Sequence, residues 1–328
     1  MNNPWSVIQT PKSEFNVQRV STTHPLSLFW GKDARGGYLF IVEMPEDAAP
    51  PKRNLPDLSG IRALLGKGTD CVRLAFILNE TANWEIFLAL CNDLIRASEK
   101  AESKTVAVQI VLRHLSRWRE FLKHPRSQAW PDQKIKGLIG ELLFLENPLA
   151  QTFAWDGSIS FWRGPEGAPQ DFIVYDTAVE VKCQAGESRP YVQISSIGQL
   201  VTQLPNMFVV VHTIASAEKA AEGAFTLNAL VERLRMLIMD NAAEPARERF
   251  ENLLFQAGYV PLEAYDDKYF RLISMRAFKV SEGFPRLKPD GIPEGVERVS
   301  YQLSLDSLTP FETALNLKRK NPENCNDN

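Results

Sequence analysis

The sequence predicts a mixed α/β protein: a sheet-and-helix region over residues 1–125, then a larger unit of helices and strands over 126–317. Three observations predict this. The apolar period switches repeatedly between two residues and about 3.6, so strands and helices share the chain. At 328 residues with 44% hydrophobic content the chain is long enough for about two domains, each with its own core. A fresh helical pattern opens at Pro131 and Asp132, after the helices of the first region have ended.

In the first region, the opening ~20 residues are polar and irregular, as loosely held termini are. The runs LSLFW (26–30) and GYLFIVEM (37–44) read as strands on either side of a glycine-containing turn. A connector with Pro45, Pro50, Pro51 and Pro56 follows, then a strand, DCVRLAFIL (70–78). From Asn83 to about Lys123 the period is helical, with a break near Glu102–Lys104 that divides it into two helices.

In the second region, Ile135, Leu138, Ile139, Leu142 and Leu143 line one face of a helix that Asn147 and Pro148 terminate. DFIVY (171–175) and AVEVKC (178–183) read as short strands of a hairpin turning at Asp176 and Thr177. YVQIS (191–195) is a further strand, IGQLVTQL (197–204) a short helix, and MFVVVHTI (207–214) a strand apolar enough to be buried on both faces. Helices over about 225–241 and 244–257, and strands over about 268–280 and 297–305, complete the unit. Residues 318–328 form a polar tail expected to be disordered.

Composition removes several classes of function. Cys71, Cys91, Cys183 and Cys325 show no paired spacing, which argues against a disulfide framework or a zinc knuckle. His24, His114, His124 and His212 do not cluster with other ligand types, and His212, ending an apolar strand, reads as a core residue. The N-terminus has no apolar signal core and no run reaches the ~20 residues of a membrane span, so a cytoplasmic protein is expected. No phosphate loop, Rossmann fingerprint or nucleophile elbow is present, and GKGTD (66–70) lacks the context a phosphate loop needs. A net charge of −3 neither supports nor excludes a nucleic-acid partner.

The hairpin carries the chemistry. With Asp176 and Thr177 as the loop, Tyr175 faces Ala178, Ile173 faces Glu180 and Asp171 faces Lys182. Alternation then projects Asp171, Glu180 and Lys182 from one face, with Asp171 and Glu180 as diagonal neighbours able to share a metal ion. Phe172, Val174, Val179, Val181 and Cys183 make the other face apolar. Two acids and a lysine on such a hairpin are costly to bury unpaired. A surface hairpin with solvated charges is the plain alternative, and the E-V-K tripeptide alone does not exclude it. A loop of three residues would reverse the parity, so the register is the test.

The surroundings add to the tripeptide. GLIGELLFLEN (137–147) places one acid, Glu141, on a helix flanked by Gly137 and Gly140, and WRGPEGAPQDF (162–172) and SSIGQL (195–200) border the hairpin. A helix Glu, an Asp opening a hairpin, E-x-K on the partner strand and a Gln on the next helix resemble the PD-(D/E)xK nuclease superfamily, and among its members the PD-(D/E)xK motif proteins encoded beside restriction and phage-defence genes. The resemblance covers residues 131–204. It implies a restriction-endonuclease-like core, a mixed four-stranded sheet flanked by helices. One departure stands out: the first carboxylate usually follows a Pro, and here Gln170 precedes Asp171, with Pro169 one place earlier.

The resemblance implies a Mg²⁺-dependent endodeoxyribonuclease, with Mn²⁺ as a substitute, serving restriction or phage defence. Phosphodiester hydrolysis needs an activated water and neutralisation of developing charge. Asp171 and Glu180 would hold the metal, with the Val181 carbonyl as third ligand. The metal would acidify its water and polarise the phosphate, and Lys182 would orient the water or stabilise the oxyanion. By the same resemblance Glu141 is a secondary metal or water ligand and Gln199 positions the site. The plainer readings are a solvated helix glutamate and a capping glutamine.

Residues 104–136 hold eight Lys or Arg against two acids, interleaved with Trp118, Phe121 and Trp130. Arg113, Arg117, Lys123, Lys134 and Lys136 are therefore candidates for tracking DNA phosphates. The alternative is a solvated helix face with Trp118 and Phe121 in the core. Expected partners are DNA, other defence proteins such as an ATPase or methyltransferase, and a second copy of the chain; no membrane is expected. The rival from another class is a catalytically silent nuclease fold acting as a DNA-binding or assembly subunit.

Overall fold

The computed structural model describes residues 3–51, 55–123, 130–186 and 190–317. His124, Arg126, Cys325 and the tail from residue 318 lie outside the described residues. The chain divides into two compact units: Met1–Ala129 with Val260–Glu263, and Trp130–Tyr259 with Ala264–Asn328.

In the first unit, β1 (Phe15–Arg19), β2 (Ser27–Asp33), β3 (Tyr38–Met44), β4 (Ile61–Lys67) and β5 (Val72–Leu78) form an antiparallel sheet in the order β1-β2-β3-β5-β4. The helices α1 (Trp84–Ser98) and α2 (Lys104–Leu122) pack on each other. They are separated at the predicted break, where the Ser103 hydroxyl caps α2 by accepting from the Val106 N–H. Two strands were not expected. Every residue of β1 is exposed, so it has no buried face to print a period and is held by its backbone ladder to β2. In β4 only Ile61 is fully buried, and pairing with β5 holds what was read as connector.

The second unit is built on a four-stranded mixed sheet, β10-β9-β7-β6, with β6 (Phe172–Val174), β7 (Thr177–Ala185), β9 (Asn206–Ser216) and β10 (Phe270–Lys279). The pairs β6·β7 and β9·β10 are antiparallel and β7·β9 is parallel. As expected of a strand covered on both sides, β9 is buried from Met207 to His212. A small second sheet pairs β8 (Tyr191–Ile194) with β11 (Tyr301–Ser304). With α7 (Leu305–Leu308) it covers one face of the main sheet, where Val192, Ile194 and Leu303 meet Ala178, Met207 and Val209.

The other face of β7 receives α3 (Asp132–Phe144), whose Ile135, Leu138, Ile139, Leu142 and Leu143 are all buried. Gly140 makes the close approach: a Cβ there would lie 3.0 Å from the Cys183 Cβ and 3.4 Å from a Val181 methyl. Gly137 has nothing within 4 Å and needs no such explanation. Asn147 leaves helical geometry ahead of Pro148, as the pre-proline position favours, but helix resumes at once as α4 (Ala150–Phe161), a stretch to which the sequence reading assigned no element. The remaining helices, α5 (Leu227–Asn241) and α6 (Glu244–Ala257), fall where their periods placed them. The short helix expected over 197–204 is one 3-10 turn, Ile197–Leu200.

Candidate active site

The hairpin register differs from the expected one by two residues. Phe172 faces Val179, Ile173 faces Ala178 and Val174 faces Thr177, so the loop is Tyr175–Asp176. Tyr175 takes a left-handed φ of 54°, unusual for an aromatic, and the Asp176 carbonyl accepts from the Asn206 N–H at the start of β9. A shift of two conserves parity, so Asp171, Glu180 and Lys182 stay on one side. Asp171 now stands opposite Glu180 rather than Lys182, as a direct neighbour instead of a diagonal one. Glu180 is buried to 1% exposure, which removes the surface-hairpin alternative.

Asp171 is anchored three times. Its Oδ2 accepts from the Val181 N–H at 2.7 Å, and its carbonyl accepts from the N–H groups of Arg163 at 2.7 Å and Gly164 at 2.9 Å. The carboxylate thereby replaces the strand partner Val181 would otherwise have on that edge. Burial pushes Asp171 up to about 6, against the lowering effect of the Val181 N–H and of Lys182. Burial, with repulsion from Asp171, pushes Glu180 up to about 8.

Lys182 Nζ lies 2.7 Å from Glu180 Oε1, a charge contact without a hydrogen-bonding angle; neither Glu180 oxygen has a hydrogen-bond partner. Lys182 donates instead to Gln199 Oε1 at 3.1 Å, which also accepts from the Ser195 N–H at 2.7 Å. Gln199 therefore links the backbone just ahead of its own 3-10 turn to the lysine. Gln170 is a positioning residue the sequence did not disclose. Buried to 5%, it donates to the carbonyls of Gly198 at 2.7 Å and Val201 at 2.9 Å, tying the residue before Asp171 to the turn that carries Gln199.

Glu141 joins the site. Trp162 donates its indole N–H to Glu141 Oε2 at 2.7 Å. Burial and the charge of Asp171 push the Glu141 carboxyl well above its usual range, against the opposing Trp162 hydrogen bond. Between the two acids lies Gly164: a Cβ there would sit 2.9 Å from Asp171 Oδ1 and 3.0 Å from Glu141 Oε2. Trp162 and Gly164 were not identified as site residues from the sequence, because an aromatic and a glycine in a loop carry no periodic signal.

These features fit a cation. Three carboxylates share one lysine, Lys182, so full ionisation would leave excess negative charge in a buried place, and neither Glu180 oxygen has a hydrogen-bond partner. Among the described residues no three acid, His or Cys side chains are drawn together into a finished metal cage. Magnesium, which keeps several waters and takes one or two carboxylates, does not require one.

The basic candidates are spread over both units. In the first, Arg117 Nη2 contacts the His114 ring at 2.6 Å and Lys123 donates to Glu120 at 2.8 Å, while Arg113 is exposed. Trp118 and Phe121 are buried there, as the core reading has it. In the second, Lys134 lies 4.0 Å over the Trp130 ring, and Lys136 is close enough to Cys183 to lower its pKa against the larger effect of burial, which raises it to about 12. His212 is buried at 1%, and burial holds it down to about 4. No helix among the described residues is long and apolar enough to cross a membrane.

One family matches, over residues 1–306; its description reads "Putative PD-(D/E)XK family member, (DUF4420)". No curated protein and no solved structure matches the chain.

Proposed function

The chain belongs to the DUF4420 family, and on that premise we propose that it is a Mg²⁺-dependent endodeoxyribonuclease. The observation that carries the proposal is the side-by-side placement of Asp171 and Glu180 with Lys182 Nζ 2.7 Å from the Glu180 carboxylate. The restriction or phage-defence setting rests on the sequence resemblance alone.

Asp171, Glu180 and the Val181 carbonyl would hold the ion. When bound, Mg²⁺ supplies Lewis acidity toward the phosphate and lowers the pKa of a coordinated water. The protein does the rest. Burial and repulsion keep a proton on the carboxylate pair near neutrality, so the pair ionises fully only with a positive charge beyond that of Lys182. Lys182, fixed by Gln199, presents a preorganised positive charge where the attacked phosphate builds up negative charge. Glu141, fixed by Trp162, adds an oxygen able to orient a water.

Purified protein with Mg²⁺ or Mn²⁺ is expected to nick or cut plasmid DNA. Asp171→Asn and Lys182→Ala are each expected to lower the rate by about 10²–10³-fold. Cutting that survives both substitutions would place the activity elsewhere. Salt-dependent DNA retention without cutting would favour the silent-subunit reading.

A further inference from the structure

A nucleic-acid strand at this site calls for cationic contacts to phosphates beyond the scissile one. Two arginines meet at Glu166, two residues beyond the Gly164 that lies between the acids. Arg163 directly precedes Gly164, and its N–H donates to the Asp171 carbonyl at 2.7 Å. Arg163 Nη1 lies 3.0 Å from Glu166 Oε2, and Arg249 Nη2, from α6, lies 3.0 Å from Glu166 Oε1. One carboxylate is thus shared between two guanidinium groups.

We propose that Arg163 and Arg249 clamp a phosphate of the nucleic-acid strand next to the scissile one, with Glu166 holding the guanidinium groups in place. This rests on the nuclease reading for the direction of the strand. Each guanidinium carries five N–H donors in a fixed fork suited to phosphate oxygens, and Glu166 takes one from each. Arg249 Nε is buried without a partner, while the side chains of Arg163 and Arg249 remain 44% and 33% exposed. The plainer account is an ion-pair staple joining the 164–166 turn to α6. That junction is already made by packing: Phe250 of α6 lies 6.1 Å, ring to ring, from Trp162. That packing leaves the partly exposed guanidinium groups, two residues along the chain from Gly164 through Glu166, with donors to spare for a phosphate.

The test measures binding of a fluorescent random-sequence DNA duplex, and separately of its single strand, over a range of NaCl with Ca²⁺ replacing Mg²⁺. Arg163→Gln/Arg249→Gln is expected to weaken binding about tenfold and to flatten the log K against log salt slope by about 1–2. Glu166→Gln is expected to tighten binding, since the guanidinium groups lose their internal competitor. Arg163→Lys/Arg249→Lys, which keeps the charge, is expected to keep most of the slope and lose affinity. An unchanged affinity and slope in the double Gln variant, with wild-type protein cutting DNA, overturns the clamp and leaves the nuclease reading standing. An arginine-dependent slope in a wild-type protein that cuts nothing supports the clamp and removes the nuclease reading. A wild type that binds neither probe overturns the clamp.

Discussion

The indole N–H of Trp162 donates to Glu141 Oε2 at 2.7 Å, so a buried tryptophan from a loop holds an acid that belongs to a helix. Trp162→Phe keeps a ring in the stack with Phe172 and removes the donor. The substitution is expected to cost about 1–3 kcal/mol of stability, read by urea unfolding. The Mg²⁺ concentration for half-maximal cutting is expected to rise, because Glu141 then holds its proton more firmly. An unchanged metal dependence would separate Glu141 from the site.

Gly164→Ala tests the space between the acids. Its backbone suits any residue, but the added methyl would press on Asp171 Oδ1 and Glu141 Oε2. Cutting is expected to fall by about 10²-fold, the cost of a displacement near 1 Å at a reacting centre. Thermal melting within a few degrees of wild type would show that the loss is local.

Gln170→Ala removes both hydrogen bonds to the turn that carries Gln199. The expected result is a lower kcat at nearly unchanged KM, since Lys182 loses its fixed position while the strand's binding surface is untouched. Gln170→Pro, which restores the residue usual before the first carboxylate of PD-(D/E)xK nucleases, is expected to do no better, because proline supplies neither donor. Full activity in either variant would refute the positioning role.

In the first unit, Asp93 gives a pH prediction. Burial opposes its ionisation, but hydrogen bonds from His114 and Trp118, with the charge of Arg117, outweigh it and hold Asp93 below the usual carboxylate range. A lowered folded pKa contributes stability that is complete above the unfolded value, near 4, and is lost as pH falls through the folded one. Asp93→Asn is therefore expected to destabilise the protein at neutral pH and to converge on wild type as the medium becomes acid. Urea unfolding at a series of pH values checks this; a constant gap would refute it.

What the sequence disclosed was whatever repeats. The apolar stripe of α3 carries a helical period, the break between α1 and α2 interrupts one, and the doubly buried β9 is an unbroken apolar run; each was read correctly. The shared side of Asp171, Glu180 and Lys182 followed from parity, which survived a register error of two. That error arose because Tyr175 is not a residue expected at a left-handed position, so the turn was set one place late. Gln170, Trp162 and Gly164 were missed for a different reason. Their roles depend on which distant carbonyl or carboxylate the fold brings to them, and no local pattern encodes that. Pro148 was read as a stop, yet the chain re-enters helix two residues later, since proline is tolerated at a helix start.

The hydrogen bond from the Val181 amide to Asp171 makes that single proton a gauge of the whole site. Its exchange with deuterium reports whether the aspartate is in place, without substrate or turnover. An ion that draws Asp171 Oδ2 away would hasten that exchange, while one that binds alongside would slow it. Isotope exchange at one backbone position thus gives a way to watch the site assemble before any strand is bound.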